Sequence, residues 1–123
     1  MALTVTGFTS NTLPYKLVME DGTSQSSAVS FNGNVTGTSG SLFSINIVNN
    51  SNKNYLKIWV GASAAYSDDP DVKIEILASQ TEEIIIPSGL PFTELSFMVT
   101  QTSASGSSQT APGNSALVKL VTS

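Results

Sequence analysis

The chain has 123 residues, nine acidic side chains, five lysines and no arginine, histidine or cysteine, for a formal net charge of -4. That inventory excludes Cys/His zinc sites, disulfides and His-dependent nucleophilic catalysis. It also gives a nucleic acid no arginine and no basic run to grip; only Lys16, Lys53, Lys57, Lys73 and Lys119 could gather in space.

Alternation of polar and apolar residues runs through most of the chain and predicts strands. LTVTGF and YKLVME are two short candidates near the start, and SAVSFNG, with Val29 and Phe31 on one side, is a third. GNVTGTSG over 33–40 is an exposed Gly/Thr loop. In SLFSINIVNN, Phe43, Ile45 and Ile47 share one face, with Leu42, Ser44, Asn46 and Val48 on the other. In NYLKIWVGA, Leu56, Ile58 and Val60 oppose Tyr55, Lys57 and Trp59. The polar NNSNK between these two runs makes them the best hairpin candidate.

ASAAYSDDPD is a loop around Pro70. DVKIEILAS then places Val72, Ile74, Ile76 and Ala78 inward, with Lys73 and Glu75 outward. EEIIIP ends at Pro87, which cannot donate into a central ladder, and SGLPF follows as a loop. ELSFMVT sets Leu95, Phe97 and Val99 on one face; SALVKLVT sets Ala116, Val118 and Leu120 against Leu117, Lys119 and Val121. The polar stretch over 101–114 is a mobile loop of small side chains. No helical periodicity is present. The expected fold is all-β, a single-domain β-sandwich over 1–123 with roughly eight or nine strands, jelly-roll or immunoglobulin-like. Residues 1–12 are either an extended arm or the first strands.

Few side chains suggest chemistry. Asp68, Asp69 and Asp71 form the one candidate cation site, but Pro70 fits an ordinary turn and the EF-hand spacing is absent. Glu75, Glu82, Glu83 and Glu94 could serve glycoside hydrolysis only if two of them faced each other across a cleft; as solvated edge residues they would deter sheet-to-sheet sticking. Asn34-Val35-Thr36 and Asn49-Asn50-Ser51 match the glycosylation sequon, a pattern that arises readily in an Asn/Ser/Thr-rich chain. GNVTGTSGS lacks the lysine and helix of a phosphate loop. MALTVTGFTS lacks the basic and apolar regions of a signal peptide, and no apolar run is long enough to span a bilayer. The reading is of a soluble non-enzyme with no cofactor and no resident metal. Trp59 and Tyr55 are covered by a second apolar layer, by another subunit, or, with Tyr66, form an aromatic platform for sugars.

Lys57-Ile58-Trp59, the loop residues Asp69 and Pro70, the turn Pro87, Gly89, Leu90 and Phe92, and the strand Leu95-Ser96-Phe97 together form a recurring pattern. Over about 54–105 it resembles small β-sandwich virion proteins of tailed bacteriophages, among them head decoration or cement proteins. The resemblance implies a structural protein made in the host cytoplasm and located on the capsid surface. It implies a homotrimer that clamps major capsid subunits, with no catalytic residues. Tyr55, Trp59, Tyr66, Leu90 and Phe92 are the interface candidates. A carbohydrate-binding or tail/fibre-associated adhesion module is the alternative.

Overall fold

The computed structural model describes residues 2–7, 16–21, 31–106, 108–113 and 116–123. The alternating runs become strands β1 (Ala2–Gly7), β2 (Lys16–Asp21), β3 (Gly40–Asn49), β4 (Asn54–Trp59), β5 (Val72–Ile76), β6 (Thr81–Phe92), β7 (Ser96–Thr100) and β8 (Ala116–Thr122). The described residues are all-β, with no helix. β1-β2-β8-β3-β6 make one antiparallel sheet and β5-β4-β7 another. Residues 2–7 of the expected arm pair along β2; Met1 and 8–12 lie outside the described residues, as does the SAVS part of the third candidate strand.

One apolar cluster draws on both sheets. Leu42, Ile45, Ile47, Val118 and Leu120 come from the first, and Leu56, Ile58, Ile76, Phe97 and Val99 from the second. The inward faces expected for Leu56 and Ile58, for Phe97 and Val99, and for Ala116, Val118 and Leu120 are the ones that enter this cluster. Each such aliphatic side chain contributes about 1.5–3 kcal/mol on leaving water.

Four local expectations are corrected. β3 and β4 do not form a hairpin: β3 pairs with β6 and β8, β4 with β5 and β7. Residues 50–53 instead cross between sheets, and the crossing is built on buried amides. Asn49 Nδ2 donates to Asn52 O (2.9 Å) and Leu77 O (3.0 Å), while its Oδ1 accepts from Ser51 N (3.1 Å) and Asn54 Nδ2 (2.8 Å). Asn49 and Asn54 are 1% and 0% exposed, so their polarity serves the corner and not the solvent.

The inward face of β3 changes parity. The register shifts between Leu42 and Ser44, as a β-bulge does, so Leu42 enters the core and Phe43 does not. Pro87 does not end its strand. β6 continues to Phe92 because it is the sheet's edge, where a missing N–H forfeits no ladder bond, and its register jumps between Ile85 and Leu90. Ala78 is exposed, because β5 stops at Ile76 and Ser79 turns the chain with φ 55.

Candidate functional site

The outer side of the β5-β4-β7 sheet holds the sequence's most distinctive residues. Register sets Lys57 beside Lys73 and Met98, and Trp59 beside Ser96. Alternation predicts Lys57 and Trp59 outward; they do leave the shared core, but they are 1% and 3% exposed. Two segments cover them. Phe31 meets Trp59 edge-on, with ring centroids 5.2 Å apart at 76°. Its neighbour Asn32 exchanges backbone hydrogen bonds with Phe97, extending the sheet past β7.

The second cover is the polar stretch after β7. Lys57 Nζ donates to Ala104 O (2.9 Å) and Gln109 Oε1 (2.6 Å). Gln109 Nε2 donates to Tyr66 O and Gly106 O, both at 2.8 Å. Lys73 Nζ reaches Ser103 O at 3.1 Å. The stretch closes on itself through Gln101 N to Thr110 O and Thr110 N to Thr102 Oγ1, each 2.8 Å. The described residues of the segment expected to be a mobile loop thus form a hydrogen-bonded strap over Lys57, beside which Met98 is 0% exposed. Burial lowers the Lys57 pKa below its ordinary value, and the nearby Lys73 charge adds to the effect. The ammonium is solvated by one backbone carbonyl of the strap, Ala104 O, and by one side-chain amide oxygen, Gln109 Oε1.

The five interface candidates do not share one surface. Trp59 lies under Phe31, and Phe92, at 5% exposed, is part of the core, with half-buried Leu90 packed against it. Trp59 and Phe92 are therefore corrected: the chain's own packing removes them from any outer contact. Tyr55 is half-buried, with Lys53 Nζ 5.9 Å from its ring centroid, and Tyr66 is exposed.

The acidic loop works as turn chemistry. Asp71 Oδ2 accepts from Val60 N (2.8 Å) and Asp68 Oδ2 from Ala65 N (2.9 Å). Among the described residues no three acids converge as a metal-ligand group. The four candidate glutamates are dispersed. Glu75 on β5 lies 3.8 Å from Lys53, Glu94 Oε1 accepts from Ser63 N, and Glu82 and Glu83 stand on the other sheet's edge strand. The lysines are likewise divided, with Lys119 on β8 and Lys53, Lys57 and Lys73 on or beside the smaller sheet. Asn34 of the first sequon is exposed; Asn49 of the second is enclosed in the crossing.

The outer face of the larger sheet went unremarked in sequence. Ile85 is 59% exposed there, the largest exposure among the bulky apolar side chains described. Its signal was the apolar character of both faces of β8, where Leu117 and Val121 alternate with the core residues. No family model matches the chain, and neither a curated protein nor a solved structure is significantly similar to it. No helix among the described residues is long and apolar enough to cross a membrane.

Proposed function

We propose that the protein is a non-enzymatic structural module of a phage particle. It is a β-sandwich of jelly-roll or immunoglobulin-like type that binds the outside of the head, contacts the major capsid protein and reinforces it. The observation that carries this reading is how the titratable groups are employed. Lys57, Lys73, Asp68, Asp71 and Glu94 all hydrogen-bond to their own chain, stiffening loops. A binding role through surface shape suits such a molecule, and many copies on a lattice make weak individual contacts sufficient. The residue pattern over 54–105 supplies the particle.

Self-association belongs to the same proposal. The trimer that the resemblance implies drew on Tyr55 and Trp59 as an uncovered apolar face; with Trp59 covered from within, that motive for a three-fold contact is gone. The alternative sugar-binding module loses the same residue from its aromatic platform, leaving Tyr66 exposed on a loop.

Cryo-electron microscopy of the native particle tests the proposal. Density for this chain on the outside of the head, seated over junctions between capsid subunits, is the expected result. Its absence from purified particles, or specific glycan retention by the isolated protein, would overturn it.

A further inference from the structure

The outer face of β6, β3 and β8 is ordered in three cross-strand rows. Ile85, Ser44 and Val121 form the first, Glu83, Asn46 and Lys119 the second, and Thr81, Val48 and Leu117 the third. These are the outward positions, since Ile84, Ile45 and Leu120 of the same strands pack in the core. Ile85, Glu83 and Lys119 are exposed, and Val48, Leu117 and Val121 half-buried. Apolar rows thus flank a charged one. Glu83 and Lys119 stand on either side of Asn46, two strand spacings or roughly 9–10 Å apart, too far to pair with each other.

We propose that this face binds a second copy of the chain, sheet against sheet, about a two-fold axis running along β3. That rotation keeps every row at its own level and exchanges β6 with β8. Ile85 then lies over Val121 of the second copy, and Thr81 over Leu117. Glu83 meets Lys119 of the second copy, and by symmetry the pair forms twice. The charges select this axis. A two-fold across the strands, along the charged row, would set Glu83 on Glu83 and Lys119 on Lys119, which like-charge repulsion disfavours. The twist of each sheet accommodates such face-to-face packing at a small angle.

The three strands that overlap about this axis, β6, β3 and β8, at about six residues each, give a flat footprint of about 290 Å² from ordinary strand spacing and rise. Side-chain relief raises the buried surface above that figure, toward but not beyond the roughly 800 Å² per partner of a standard interface. The pairing is therefore weak and concentration-dependent. It needs no capsid, so its test stands apart from that of the proposed function.

Sedimentation equilibrium on the full chain, from micromolar to millimolar concentration, reads it. The weight-average mass is expected to rise from that of one chain to that of two and stop there. Glu83→Lys and Lys119→Glu should each weaken dimerisation about tenfold, and the double exchange should restore it. Ile85→Ser should weaken it comparably, with an unchanged thermal transition for all four variants because these positions are exposed. A monomer throughout, a trimer, or a dimer in which the double exchange fares no better than the single ones would overturn the proposal. If Ile85→Ser fails to fold, the charge exchange alone decides.

Discussion

Asn49 shows how one polar side chain can fix a path between sheets. It is enclosed, donates to carbonyls of 52 and 77 and accepts from 51 and 54, so it ties the crossing to the turn after β5. Asn49→Ala strands the Asn54 amide and the Ser51 N–H away from water. The expected loss is about 2–4 kcal/mol, the sum of lost bonds and unpaired donors, measured by urea unfolding. Lys57 is the second decisive residue. Its folded pKa lies below the ordinary 10.5 because burial penalises the ammonium. The unfolded chain therefore holds more protons between the two values, and the linkage makes stability rise with pH across that interval. Comparing urea midpoints of the wild type and Lys57→Met from neutrality to pH 10.5 isolates this term. The wild type is expected to gain on the variant as pH rises; parallel curves, or a relative loss, would contradict the cause assigned to the shift.

At the scale of elements, the bulge in β3 and the register jump in β6 are one feature. Phe43, displaced from the core, lies against Gly89, whose φ is +78. A Cβ at Gly89 would come within 2.9 Å of both Phe43 Cε1 and Ser41 Cβ. Gly89→Ala is thus expected to lose about 1–3 kcal/mol from backbone strain and crowding. Adding Phe43→Ala should recover the part due to the ring, in the same denaturation experiment. The strap over 101–106 and 108–113 is the other element with an identifiable device. Lys57→Met retains the stem's packing and removes the donor to Ala104 and Gln109. Backbone amide exchange in the strap should quicken by about tenfold, equivalent to one or two hydrogen bonds, while β3 and β8 stay protected.

Across the whole molecule, the two sheets depend on one shared cluster. Ile58 is 0% exposed within it. Ile58→Ala is expected to cost about 2–5 kcal/mol through lost transfer energy and the cavity left behind. Both sheets should still melt in a single transition, followed by far-UV circular dichroism and by Trp59 fluorescence. A cost below about 1 kcal/mol, or two separated transitions, would mean that the sheets do not share a core.

Much of this was present in the sequence because strand alternation is a local property. Leu56 and Ile58, Phe97 and Val99, and Val118 and Leu120 show period two within a few residues, and membership of the shared core follows from that period. The missing histidine, cysteine and arginine likewise bound the chemistry without any structure. Pairing partners are not local. NNSNK has the composition of a hairpin turn, and only the enclosure of Asn49 and Asn54 makes it a crossing between sheets. One inserted residue at the bulge reverses which of Leu42 and Phe43 is inside, and alternation carries no record of where it resets. The fate of Trp59 and Lys57 also required the tertiary structure. Alternation assigns them a face, but whether that face meets water depends on Phe31 and on a polar strap some fifty residues away in the chain, whose Ala104 carbonyl and Gln109 side chain no composition rule marks as a cover for a lysine.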